Sequence, residues 1–260
     1  MAKSQTDKPK TPAPTKRIVL SATNKGGVGK SFFMTHFVQW LKFQIPAVKF
    51  RAFDPDHANR TLMRQHPDVT SFLDVDDELN LDEVVRCLTD YELAVTDGLG
   101  SQQKKTFGAW VRDVNLFEIA PTIGAAITYV LVVKDNREVI EQALETAEQT
   151  PAGCDFVVVV NRQGLRTDQP LTLWNQSTTR KLLLGRGAIE IDMPSCPKPM
   201  ADLLTHIGVP AHQFAANAME SVSLDTCAHQ RFVNLTRAID ENLDRAARLL
   251  LPASALASRG

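Results

Sequence analysis

Apolar residues in this 260-residue chain gather into short continuous runs, and segments with helical spacing lie between them. The runs fall at 17–23, 48–54, 93–97, 128–133, 156–161 and 188–192. Phe156-Val157-Val158-Val159-Val160 is the clearest, since a strand there is apolar on both faces. Such strands belong inside a parallel sheet with helices packed on either side. Helical patterns occupy 31–44, 80–90, 101–113, 136–149, 199–207 and 224–250. Asn80 with Glu83 three residues on reads as a variant capping box, and Asp135 or Asn136 as the cap of the helix after it. The β/α alternation predicts an α/β fold: a doubly wound, mostly parallel sheet flanked by helices. No internal repeat is visible.

The last helical pattern places Phe232, Leu235, Ile239, Leu243, Ala246, Leu249 and Leu250 on one stripe. Its polar face mixes Arg231, Arg237, Arg245 and Arg248 with Asp240, Glu241 and Asp244. A helix that lies on a membrane is basic on that face, so this one is expected to pack against its own domain. Residues 1–16 are polar, carry three prolines, and set Lys3, Lys8, Lys10 and Lys16 against Asp7 alone. They read as a disordered basic tail. The expected organisation is that tail, one domain over 17–251, and a flexible C-terminal tail over 252–260. Asp74 to Glu92 is acidic and reads as a solvated helix face.

One junction between a run and a helix carries chemistry. Ile18-Val19-Leu20 leads into Asn24-Lys25-Gly26-Gly27-Val28-Gly29-Lys30-Ser31, and a helix-like stretch from Phe32 to Phe43 follows. A strand, a glycine loop and a helix in that order make a phosphate site. The glycines let backbone N–H groups close on oxyanions, and the helix points its positive end at the same place. The nucleotide-contacting run is Gly26, Gly27, Val28, Gly29, Lys30, Ser31 and Phe32. Lys30 reaches the β/γ-phosphates, and the Ser31 hydroxyl binds Mg²⁺. Asn24 stands where the general P-loop pattern expects its first glycine, and Lys25 adds a second lysine. One loop has little need of two lysines for one nucleotide. A second cation makes more sense if it reaches another nucleotide across a dimer interface.

Carboxylates follow at two further strand ends. Asp54 and Asp56 lie two apart after one run, where buried charge is costly without a purpose. Asp97 closes another, in Asp97-Gly98-Leu99-Gly100, the Walker B arrangement that holds a Mg²⁺-bound water. Gly98 and Gly100 permit a mobile switch that senses the γ-phosphate.

The spelling K-G-G-x-G-K-[ST] is the deviant Walker A motif, and through it the chain resembles the ParA/MinD family of ATPases. The resemblance runs from residue 17 to about 200. It implies that Asp56 orients the attacking water, that Asp54 belongs to the Mg²⁺ and water shell, that Asn161 of Asn161-Arg162 reads adenine, and that Pro194 closes over the base. It also implies ATP and Mg²⁺ as cofactors and an ATP-bound homodimer, with Lys25, Lys30 and Asp56 as the catalytic set. The chain departs from the family in His57-Ala58, where Pro-Gln is usual, and in Asp97-Gly98, where D-x-P is usual. Details of spelling, with the stretch from Glu220 to Arg231, are similar to TraL-like ATPases encoded with conjugation systems.

Composition narrows the partners. A net charge of −1 gives no global drive toward nucleic acid or membrane. Nonspecific DNA then needs a local patch, for which Arg180, Lys181 and Arg186 are the candidates, the N-terminal lysines assisting; a partition, positioning or conjugation protein is the other candidate cargo. Cys87, Cys154, Cys196 and Cys227 form no paired motif, which argues against disulfides, zinc and an iron–sulfur role and fits a reducing cytoplasm. No apolar stretch is long enough to span a membrane. The alternative on this fold is a metabolic ligase or kinase, in which Lys25 activates a small substrate.

Overall fold

A computed structural model describes residues 13–22, 25–98, 103–166, 169–216 and 224–259. β1 (Lys16–Ser21) leads through the glycine loop into α1 (Lys30–Gln44) and back to β2 (Phe50–Asp54). α2 (Thr61–Gln65), β3 (Thr70–Phe72), α3 (Glu78–Leu81) and α4 (Glu83–Arg86) follow, and α4 runs into a 3-10 turn at Cys87–Thr89. β4 (Leu93–Thr96), α5 (Gln103–Asp113), α6 (Leu116–Thr122) and β5 (Ala125–Val133) come next. Then come α7 (Arg137–Gln149), β6 (Asp155–Asn161), α8 (Thr172–Gln176), α9 (Thr178–Gly185) and β7 (Ile189–Met193). The rest is helical: α10 (Lys198–Ile207), α11 (Ala211–Ala215), α12 (Thr226–Leu250) and α13 (Ala253–Ala257).

The seven strands form one sheet in the order β3-β2-β4-β1-β5-β6-β7. Every pairing is parallel. From β1 the chain builds outward on one side through β2, then returns to build β5, β6 and β7 on the other. The order therefore reverses at β1, and the crevice beyond its C-terminal end is where such sheets bind ligands.

Val157 to Val160 of β6 are all buried, as strands covered on both faces must be. α1 buries Phe33, Met34, Phe37, Val38, Trp40 and Leu41 on nearly all its faces, so the helix behind the glycine loop is held rigidly in the core. α12 buries the stripe read from its sequence. Its C-terminal end is tied to the sheet by Arg17 of β1, only 2% exposed. That guanidinium donates to Leu249 O at 3.0 Å and Leu251 O at 3.1 Å, and to Thr128 Oγ1 and Asp155 Oδ2, both at 2.6 Å. A cation here satisfies carbonyls that the helix leaves open and opposes the negative end of its dipole.

Several expectations need correction. The 80–90 pattern is not one helix but α3, α4 and a 3-10 turn. Its cap is Asp77, which accepts from Leu79 N, while Asn80 sits inside α3 and accepts from Asp74 N. Of the two candidate caps before α7, Asn136 caps it, and Asp135 instead accepts from Trp174 N. Lys16 belongs to β1 rather than to a tail. Residues 253–257, expected to be part of a flexible tail, form α13, because Ala253 N donates to Pro14 O and Ala255 has an apolar site to fill. The acidic stretch is only partly a solvated face, since Asp82 accepts from Trp110 Nε1 at 2.9 Å. The tail before residue 13, Asn24, Leu99, Gly100 and Glu220–Ser223 lie outside the described residues.

Candidate phosphate-binding site

The glycine loop sits at the reversal point of the sheet. Gly27 and Gly29 have φ of +71° and +100°, conformations that side chains with a Cβ rarely adopt. Gly29 also has no room: a Cβ there would lie 2.6 Å from Asn161 Nδ2 and 2.8 Å from Met193 Cε. It stands at the N-cap of α1 with no side chain capping the helix. The amides from Gly26 through Phe32 therefore donate to no backbone carbonyl among the described residues, the next bond being Phe33 N to Gly29 O. Unpaired N–H groups at the positive end of a buried helix form a site for anions.

Charged groups from three strand ends surround this loop. Lys30 Nζ donates to Lys25 O at 2.9 Å, and Lys30 packs beneath Gly98, where a Cβ would strike its side chain. Burial pushes the Lys30 pKa down, and the charges of Asp97 and Asp56 push it back up. Lys25 pairs instead with Glu138 in the first turn of α7. A third lysine, Lys134, follows β5 and donates to Gly27 O at 3.1 Å.

Asp97 is 3% exposed. Burial raises its pKa to about 6, and the Gly98 N–H, the Ser31 hydroxyl and Lys30 oppose the rise. Asp54 is fully buried and its pKa is also raised by burial, against bonds from Met63 N at 3.1 Å and Asp56 N at 3.0 Å. Asp56 goes the other way. Partial burial pushes it up, but the Asn59 side chain and the backbone N–H groups of Asn59 and Ala58 outweigh that and hold it low. Two raised carboxyls beside an ammonium and a hydroxyl fit a divalent cation, whose charge restores the ionised forms. Ser31 and Asp97, which hydrogen-bond each other, could hold Mg²⁺, and Asp54 is close enough to Asp97 to feel its charge.

The structure thus brings Lys30, Ser31, Asp54, Asp56 and Asp97 together. The other sequence-read residues are placed differently. Asn161 is 3% exposed, and its amide is spent on the protein: Nδ2 donates to Val28 O at 2.6 Å, and Oδ1 accepts from Gln163 N at 2.7 Å. Pro194 follows β7 and is half-buried. The Phe32 ring packs on His36, 4.4 Å between centroids, so only its backbone faces the loop chemistry. Lys134 and Glu138 were missed. The sequence marks Lys134 only as a lysine after an apolar run; the pairing of that strand with β1 sets it beside the loop.

Of the three DNA candidates, two are structural. Arg180 makes a two-point contact with Glu190, at 2.7 and 3.1 Å. Arg186 donates to carbonyls of Ala147, Thr150 and Pro151 and stacks on Phe156. Among the described residues no helix is long and apolar enough to cross a membrane.

No family model matches the chain, and no curated protein matches it. Solved structures do. The septum site-determining protein MinD of Pyrococcus horikoshii OT3, complexed with Mg-ADP, aligns over 87% of this chain and 96% of its own at 18% identity, with a TM-score of 0.53. A ParA-family ATPase from Chlorobium tepidum TLS aligns over 86% and 98% at 11% identity, with a TM-score of 0.50. The all-parallel sheet, the glycine loop after β1 and these likenesses give the chain the ParA/MinD-like P-loop fold.

Proposed function

We propose that the protein is a Mg²⁺-dependent ATPase whose ATP-bound form is a homodimer, and that it works as a cytoplasmic switch in plasmid or chromosome partition, positioning or conjugative transfer. The observation that carries this reading is the row of amides from Gly26 to Phe32 with no backbone acceptor among the described residues, beside Lys30, Ser31 and Asp97. Triphosphate satisfies those donors. Ser31 and Asp97 would hold Mg²⁺, which would supply positive charge to the phosphates. Lys30 exchanges Lys25 O for phosphate oxygen. Asp56 is held ionised at the edge of the site, and with three bonds from Ala58 and Asn59 it keeps acceptor capacity for a water.

Lys25 stands apart from this work. Its side chain is about one-third exposed and paired with Glu138, so it is available to a second protomer's phosphates once that pair opens. Such a contact forms only with triphosphate bound and couples nucleotide to assembly. The occupation of Arg180 and Arg186 within the fold favours a protein cargo over DNA.

The test is molar mass by light scattering, with ATP·Mg²⁺ and with ADP·Mg²⁺, on Asp56→Ala protein to slow hydrolysis. The expected result is a dimer with ATP alone. Adding Lys25→Ala should keep ATP binding and leave a monomer, whereas Lys30→Ala should abolish binding. A dimer that ignores Lys25→Ala would overturn the sandwich.

A further inference from the structure

The glycine loop is held from outside at two carbonyls, by residues at the ends of two different strands. Lys134, after β5, donates to Gly27 O at 3.1 Å, and Asn161, at the end of β6, donates to Val28 O at 2.6 Å. The loop contains no cis peptide. In a trans peptide the C=O and the following N–H point in opposite directions. Fixing Gly27 O toward Lys134 therefore turns the Val28 N–H away from it, and fixing Val28 O toward Asn161 turns the Gly29 N–H away in the same manner. Both amides are among those with no backbone acceptor. Glycine-rich backbone does not hold such an orientation unaided, because Gly27 and Gly29 have the widest conformational freedom of any residue.

We propose that Lys134 and Asn161 are positioning residues that brace the phosphate loop, fixing two of its carbonyls outward so that two of its amides stay aimed at the polyphosphate before it arrives. Three further facts agree. The Asn161 amide is buried and already engaged at both ends, Oδ1 by Gln163 N and Nδ2 by Val28 O. Gly29 admits no Cβ because Asn161 fills that space. The only hydrogen bond of the Lys134 ammonium among the described residues goes to a neutral carbonyl, with no carboxylate drawing it elsewhere. Lys30 makes a similar bond to Lys25 O but must release it to reach phosphate, whereas the braces remain. The assignment rests on the phosphate-site reading. It gives Asn161 a task that does not depend on the base.

Displacement of a fluorescent ATP analogue tests it, using ATP and inorganic tripolyphosphate as competitors with Mg²⁺ present, on the full chain. Lys134→Met and Asn161→Ala should each weaken ATP and tripolyphosphate by the same factor, roughly tenfold for the loss of one orienting hydrogen bond. Lys134→Arg, which can still donate to Gly27 O, should recover most of the loss. If Asn161→Ala weakens ATP while tripolyphosphate is unchanged, Asn161 reads the base and the brace is wrong. If Lys134→Met leaves both ligands at parental affinity, or Lys134→Arg restores nothing, the brace is wrong on that side. Lys30→Ala is the control for the underlying reading. Full affinity in that variant removes the phosphate site itself, whereas its loss beside unaffected Lys134→Met removes only the brace. Lys134 is only partly buried, so its variants remain informative if Asn161→Ala fails to fold.

Discussion

Asp97 shows how the site trades stability for chemistry. Its folded pKa, about 6, lies above the ordinary 3.8, because burial penalises the carboxylate. Between those values the folded chain binds more protons than the unfolded one. The stability this gives is fully present below 3.8 and is lost as pH rises through about 6. At pH 8 the nucleotide-free protein therefore carries an ionised group that the fold disfavours. Asp97→Asn should raise the urea midpoint at pH 8 without Mg²⁺, the unfolding free energy gaining up to about 2–3 kcal/mol for a shift of this size. The gain should shrink toward pH 4, and Mg²⁺-dependent nucleotide binding should disappear. His36 and His66 act in the opposite sense: burial lowers them to about 3 and about 4, so their contribution is present above the ordinary 6.5 and fades as pH falls through those values. Comparing Asp97→Asn with its parent at each pH cancels that background. An equal midpoint at pH 8 would mean that Asp97 is not strained in the free protein. Asp97 was legible in the sequence because a carboxylate ending an apolar run is conspicuous. Lys134 was not, because a lysine after a strand looks like any solvated loop residue until the strand order sets it beside the glycine loop.

Elements were legible in proportion to their length. α1, α7 and α12 each offer several turns of periodicity, and the long apolar strands announce themselves. β3 has three residues, and α2, α8 and α11 have five each, too short for either period to register. These short pieces hold their shape through tertiary contacts, such as the bond from Met63 N of α2 to Asp54. Arg17 is the strongest case of a contact that the sequence hides, since nothing local distinguishes an arginine that enters a core from one that faces water. In the fold it joins β1, β5, β6 and the end of α12. Arg17→Met keeps the apolar stem but leaves Asp155 and Leu251 O without their donor, while Leu249 O keeps the Thr128 hydroxyl. Removing one partner of a mostly buried pair costs about 3–5 kcal/mol. Asp155 is one-third exposed, so the lower end, about 3 kcal/mol, is expected from urea unfolding. Hydrogen exchange should rise first near residues 245–251. A midpoint within error of the parent would show that α12 is held by its apolar stripe alone.

At the scale of the whole molecule, charge bears on which cargo the proposed switch would take. The chain is nearly neutral, at −1, so no long-range field draws it to a polyanion. The basic residues that stood out in the sequence around 180–186 do not form a free patch. Arg180 is neutralised by Glu190, and Arg186 is spent on three carbonyls and a ring, which leaves Lys181 as the one of the three not so engaged among the described residues. One lysine left from that cluster gives few of the phosphate contacts on which nonspecific DNA binding rests. Asp56→Ala protein with ATP·Mg²⁺ should therefore show no more affinity for random duplex DNA at low salt than with ADP·Mg²⁺. The basic N-terminal segment supplies a useful internal contrast. Binding through those lysines would not depend on nucleotide and would vanish when residues 1–12 are removed. Binding that appears only with ATP, survives that truncation and falls steeply with salt would instead mean that dimerisation assembles a basic surface from both protomers. That result would return DNA to the place that the occupied arginines now give to a protein cargo.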